Sequence, residues 1–455
     1  MEEIINDLVL GELKYHKNNF WVRPMDAPVL NSNGNLKLVV QDDNKEGILD
    51  VQRKAYKTYL QNEETYKGIV TDYLLEYYKW NYEYIAREVN GVDENDHKDV
   101  VTEKELYQFM TLWYLFICRD GSFGYAFGCC WDVENGLAVL LSENEPRVIS
   151  RTQLKNLHKV NDPVLGLLVH DGKNEWNGLE TNSFFGKPEN LEIRLAGGVD
   201  EGITVAQQKA YSDYLSKKDN LFKDFTKMML SVYSGSENQA ENMLALGQPI
   251  VVSTCLPKTL YIDREGNYGW MCYTQWNDNY VDVLLSDEKP YVMRHWSLAR
   301  MSKEHPVIDK EMGVFFNDYI GLESTIIVRI GAQVCTLPLS IEFFDKNKVI
   351  NDKMREAYRK YVKLNETFWK ELLEWSMDFY NDNYEELEDR FELPESLQKE
   401  NINESSVMSL MRITKLYVTN RGRIAWLCEY PTESDGLAFE FTNGTICMIP
   451  QPQII

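Results

Sequence analysis

The chain is poor in the groups that metal and nucleophile chemistry needs. It has six histidines and eight cysteines in 455 residues. No C-x-x-C pair occurs, and the histidines at 16, 97, 158, 170, 295 and 305 show no H-x-x-x-H spacing. Zinc sites and His-based triads need such residues at fixed spacings, so neither is expected and no metal is assigned. G-x-S-x-G, G-x-x-x-x-G-K-[ST] and G-x-G-x-x-G are all missing, which removes the common hydrolase and nucleotide signatures, and no cofactor is assigned. No run of about 18 apolar residues exists, so no membrane span is expected. The opening MEEIINDLVL is acidic where a signal peptide would be basic, which points to a cytoplasmic protein. The cysteines then read as reduced core thiols.

Positive charge is also scarce. Against 71 Asp and Glu stand 48 Lys and Arg, a net charge of −23 with His neutral. Such a chain repels phosphate backbones and anionic membranes, and it suits a basic protein partner. Hydrophobic residues make up 44% and aromatics 12%, enough for packed cores and too many for a disordered chain.

What the sequence does contain is a long internal repeat, which decides the architecture. Shifted by 155 positions, N6-D7-L8-V9-L10-G11 falls on N161-D162-P163-V164-L165-G166, and Trp21 falls on Trp176. With no gap, EGILDVQRKAYKTYL (46–60) falls on EGITVAQQKAYSDYL (201–215). A fainter third copy appears at an offset of 302, where Asp7, Gly11, Asp50, Arg53, Tyr56 and Tyr59 fall on Asp309, Gly313, Asp352, Arg355, Tyr358 and Tyr361. The latter part of each copy recurs as well, from Leu115, Leu260 and Leu416, with Gly121, Gly266 and Gly422 aligned and Tyr125, Trp270 and Trp426 aligned.

Alternating strand patterns, a polar-Gly turn and a further alternation predict a three-stranded antiparallel meander closing each copy. The aligned glycine is expected to supply a positive φ at the turn. Ile48, Val51, Ala55, Tyr56 and Tyr59 have helical spacing, and Thr204-x-x-Gln207 fits a capping box. A second helix is expected over 64–87 in copy one and about 366–382 in copy three. Each copy therefore reads as three strands, two helices and three strands. The fold class is α+β: three tandem copies of a small domain, each an antiparallel sheet packed against about two helices, at 1–155, 156–303 and 304–455.

The D-P-V-L-G-x-L opening, the Trp before a strand, I-T-x-x-Q at a helix start and L-Y-V…G-x-Y-G…W…G-L-A-V together resemble an uncharacterised bacterial domain. It is similar to domain of unknown function 6985 and its relatives. The resemblance implies a fold and a bacterial origin, and it brings no activity. Some relatives look like accessory or immunity genes beside secreted toxins.

One stretch, FGYAFGCCWDVENGLAVLL (123–141), concentrates chemistry-bearing residues. Neighbours on a strand point to opposite faces, so Cys129 and Cys130 cannot easily chelate one ion and read as packing. Asp132 and Glu134 follow Trp131 in an expected loop, and paired acids beside a Trp would suit carboxylate-based glycoside hydrolysis. Acidic turns are also common for local hydrogen-bonding reasons. Copy two has Trp276 and Asp278 in the matching loop. Trp131, Asp132, Glu134, Trp276 and Asp278 are thus candidate binding residues, and no catalytic residue is assigned. The sequence favours a non-enzymatic protein-binding role, of which toxin neutralisation is the most concrete form. A carboxylate hydrolase with a site between copies and a structural component of an assembly are the alternatives.

Overall fold

The computed structural model describes residues 3–16, 19–25, 36–42, 45–80, 102–141, 146–155, 157–171, 173–184, 187–234, 255–274, 280–287, 289–318, 321–330, 333–343, 349–390, 393, 395–398, 403, 406, 411–431, 433–442 and 445–454. Three eight-stranded sheets follow one another along the chain: β1–β8 between Ile4 and Ser150, β9–β16 between Lys159 and Arg294, and β17–β24 between Val307 and Pro450. In each, neighbouring strands in space are neighbours in sequence. Every copy is therefore four strands, a long helix and four more strands, one strand longer in each half than the alternation suggested.

The sheets are antiparallel except at one central joint. There β4 (Lys37–Gln41) runs parallel to β5 (Met110–Ile117), with Leu38 opposite Leu115. The same parallel joint puts Ile193 opposite Leu260 in the second sheet and Leu339 opposite Leu416 in the third. A parallel pair needs a crossover connection. The crossover contains the long helix: α1 (Asp50–Trp80), α2 (Val205–Ser234) and α3 (Asp352–Asp382). The two helices expected in copies one and three are single continuous helices, since no Pro or cap interrupts Asn62–Lys67 or its counterpart.

By contacts the chain divides into two compact units, Met1–Val160 with Val169–Lys173, and Asn161–Leu168 with Asn174–Ile455. In the first, Leu38, Leu115, Tyr125 and Val139 from the sheet close on Tyr56, Tyr59, Val70 and Leu74 of α1. In the third sheet the matching set is Leu339, Leu416, Trp426 and Phe439 against Ala357, Tyr361 and Leu372 of α3. One tyrosine of each long helix meets one aromatic of the sixth strand edge-on: Tyr59 with Tyr125, Tyr214 with Trp270, Tyr361 with Trp426.

The repeat motifs are local polar clamps. Oδ1 of Asp7 accepts from the N–H groups of Val9 and Leu10, and its Oδ2 accepts from Arg53 at 2.7 Å. Asp162 does the same with Val164, Leu165 and Gln208, and Asp309 with Glu311, Met312 and Arg355. The D-x-V-L-G motif, D-K-E-M-G in copy three, thus closes the first hairpin and ties it to the start of the helix. The aligned glycines have φ of 84°, 90° and 79° at Gly121, Gly266 and Gly422. A Cβ at each would press on the first helical turn, at 3.2 Å from the Val51 carbonyl oxygen, 3.0 Å from that of Ala206 and 2.8 Å from that of Lys353. The turn needs glycine for both its φ and its contact with the helix.

Gln52 and Gln207 occupy one position of the repeat. Each side-chain oxygen accepts from the cap N–H, of Leu49 or Thr204, while Nε2 donates to carbonyls of the parallel joint, Gln41 and Cys118 or Ala196 and Ile262. Copy three has Met354 there, and Asn351 caps the helix instead.

Candidate functional site

The sequence candidates fall in three different situations. Trp131 is buried at the turn between β6 (Phe123–Cys129) and β7 (Asp132–Leu140), with its ring 6.0 Å from Tyr78 of α1. Asp132 and Glu134 lie within β7, so the expected loop has shrunk to Cys130–Trp131 and Asp132 pairs with Cys129 across the hairpin. Trp276 and Asp278 lie outside the described residues. Cys129 is buried at the end of β6 and Cys130 exposed in the turn, where partial burial still raises the Cys130 thiol above its usual value. Cys118, Cys255, Cys272 and Cys428 are also buried, while Cys447 is exposed. Among the described residues no group of three or more His, Cys, Asp or Glu could hold a metal ion.

Other acids of the first unit are held in structural contacts. Asp42 is fully buried and accepts from the Trp21 indole at 2.8 Å, from the Glu46 and Gly47 N–H groups and from Arg119. Arg119 also pairs with Glu46, and the matching residues of copy two, Arg264 and Glu201, pair at 2.9 Å. Such groups hold loops against helix starts; they leave little for a substrate.

The second sheet departs from this pattern. Asp282 of β15 (Tyr280–Leu284) is fully buried on the face away from α2. The strand register gives it the place of Ala138 in copy one and Ala438 in copy three. Its Oδ2 accepts from the Leu298 N–H at 2.8 Å, and its Oδ1 lies 3.2 Å from Nδ1 of His295. Burial raises the Asp282 carboxyl above its usual value, against the pull of His295 and the Leu298 N–H. His295 lies against two rings. The Tyr280 ring stacks on it at 5.0 Å and 27°, and the Trp296 ring lies 4.6 Å away. Tyr273 meets Tyr280 edge-on at 5.5 Å.

Two further properties separate this group from packing. Tyr280 is 42% and Trp296 52% exposed. Trp296 also has φ of 68°, a left-handed conformation that a large side chain adopts only under constraint. The sequence reading missed this group because Asp282 and His295 are thirteen residues apart and meet only across the hairpin of β15 and β16 (Tyr291–Arg294). The available signal was Asp282 itself, an acid where both other copies carry alanine.

Next to this hairpin is a cleft of about 160 Å³. One side carries Arg294, Ser297 and Arg300, and the other carries Phe316 of β18 (Gly313–Asn317), Asp318 just after it and Glu323 of β19 (Gly321–Ile330). Below it Met293, Leu298 and Met301 pack on Val314 and Phe316. Arg300 is fixed by two 2.7 Å hydrogen bonds to Glu304 and lies over the Phe316 ring at 5.0 Å.

The architecture defined by these features is a repeat of α+β units, each a sheet crossed by one long helix. Residues 9–152 match the model of a family described as a domain of unknown function (DUF6985). That match runs from the turn after β1 (Ile4–Asp7) to just past β8 (Arg147–Ser150), and the other two sheets repeat the topology of the first. No curated protein and no solved structure matches the chain. No described helix is long and apolar enough to cross a membrane.

Proposed function

We propose that the chain is a cytoplasmic, non-enzymatic protein-binding protein built from three copies of one domain at 1–155, 156–303 and 304–455. Its principal contact is the ring ledge of the second copy, Tyr280, His295 and Trp296. The observation that carries this reading is Trp296, half-exposed and left-handed on a hairpin underpinned by an aspartate that replaces alanine. Exposed Trp and Tyr held rigidly supply contact area at low entropic cost and dominate many interfaces. A net charge of −23 and exposed ring faces both favour a basic partner, whose Lys and Arg side chains lie over aromatic rings. Asp132 and Glu134 of the first copy, with Trp276 and Asp278 of the second, serve as further acidic and aromatic contacts. Neutralisation of a basic toxin, or an accessory role beside one, is the most concrete form.

Affinity capture from a native lysate at low and high salt tests this reading. Wild-type protein is expected to retain a basic partner that the Trp296→Ala and Tyr280→Ala variants lose, with retention weakening as salt rises. Equal recovery by wild type and both variants, or recovery of no partner at either salt, rejects the ledge as the contact.

A further inference from the structure

Arginines in this acid-rich chain generally hold a carboxylate. In the second unit Arg194 pairs with Glu192, Arg264 with Glu201, Arg300 with Glu304, Arg355 with Asp309 and Arg423 with Glu440. Arg294 has no ion pair or hydrogen bond of its side chain to the described residues, although Glu323 lines the same cleft. Glu323 has no such pair either; it sits opposite Phe316 on β19, within the field of Arg300. A cation and an anion thus share one small depression without closing on each other.

The surroundings explain why they stay apart. Arg294 ends β16 (Tyr291–Arg294), which is tied to β15 through Val281, whereas Glu323 belongs to the third sheet. The packing of Met293 and Leu298 on Val314 and Phe316 fixes the two strands with the cleft between them. Arg300 cannot swing over to Glu323, because Glu304 holds it at two points. A volume of about 160 Å³ corresponds to roughly five water molecules, too little for a drug-sized ligand and enough for a molecule of several heavy atoms.

We infer that this cleft binds a small zwitterion of the size of a free α-amino acid, its carboxylate on Arg294 and its ammonium on Glu323. The planar guanidinium suits a carboxylate, and Glu323 offers an acceptor to the ammonium at the other end. The apolar floor of Phe316, Met293 and Val314 receives a short aliphatic side chain. Ser297, almost fully buried at the cleft, limits the length of that side chain. This inference does not depend on the ring ledge or on a protein partner.

Isothermal titration calorimetry on the full chain with a panel of free α-amino acids provides the test, with N-acetylalanine and alanine amide as probes that each lack one charge. At least one small free amino acid is expected to bind saturably, and its N-acetylated or amidated form to bind at least tenfold more weakly. Arg294→Gln and Glu323→Gln are each expected to weaken the free amino acid at least tenfold, with unchanged circular dichroism. Either variant alone suffices if the other fails to fold. Absence of saturable heat for every amino acid overturns the inference. So does equal binding of the singly charged probes, or binding unaffected by both substitutions.

Discussion

Asp162 and Asp282 belong to the same copy and are both buried carboxylates, yet they do opposite things. Asp162 repeats what Asp7 and Asp309 do: it closes a hairpin and takes a donor from the helix start. Asp282 has no counterpart, since alanine fills its place in the other two copies. An acid present in three copies is explained by the fold it builds. An acid present in one costs burial that the fold does not require, and beside it stand an ordered imidazole and a strained, exposed tryptophan. Duplication therefore works as an internal control, separating scaffold from what one copy has added.

The largest test of the shared scaffold lies in the aromatics of the sixth strand. Tyr125, Trp270 and Trp426 are fully buried against the long helices. Truncation of each to Ala is expected to destabilise the fold around it by about 3–5 kcal/mol, read as a lowered midpoint in thermal unfolding. A negligible effect in one copy would break the equivalence of the three.

Next come the turn glycines. Gly121→Ala, Gly266→Ala and Gly422→Ala each force a left-handed alanine against a helix backbone, and a loss of about 2 kcal/mol is expected from each. Gly121→Ala and Gly422→Ala are expected to cost most, with a Cβ 2.5 Å from Val51 Cγ2 and 2.8 Å from the Lys353 carbonyl oxygen, against 3.0 Å from that of Ala206 at Gly266. Urea denaturation followed by circular dichroism reads the order.

A smaller effect separates the aspartates by pH. At Asp7 and Asp162 burial opposes ionisation, but hydrogen bonds from backbone N–H groups and from Arg53 or Gln208 outweigh it and lower both pKa values. The stability they contribute is present above the unfolded value of about 3.9 and is lost as pH falls through the lowered one. Asp282 has the opposite sign, since burial raises it. The folded state binds the extra proton, so its contribution declines as pH rises from about 4 through the raised value. Melting temperatures across this range should show Asp162→Asn flattening the acid limb and Asp282→Asn flattening the decline at higher pH. Matching profiles for the two variants would erase the distinction.

Much of the fold was legible because the repeat preserves interacting pairs together: Asp7 with Arg53, Asp309 with Arg355, Tyr59 with Tyr125. Asp7 and Arg53 align with Asp309 and Arg355 at one offset, and Tyr59 and Tyr125 recur at offsets that differ between the two halves of a copy. The extra strand in each half was not legible, since the first and last strands of each copy are only three to six residues long. Continuity of the long helices was hidden by their polar middle, such as Gln61–Glu64, which reads as a break when the helix simply exposes that turn. The ledge escaped for a different reason. A hydrogen bond across a hairpin leaves no periodic trace, and the left-handed backbone at Trp296 contradicts what a tryptophan ordinarily prefers.

Trp296→Gly tests the central claim most directly, because glycine accepts the left-handed backbone without the ring. If Trp296 is held there for binding, the variant keeps or gains stability, by up to about 1 kcal/mol, while capture of a basic partner is lost. If the variant is instead clearly destabilised and still captures the partner as well as wild type, the ring is scaffold and the account is wrong.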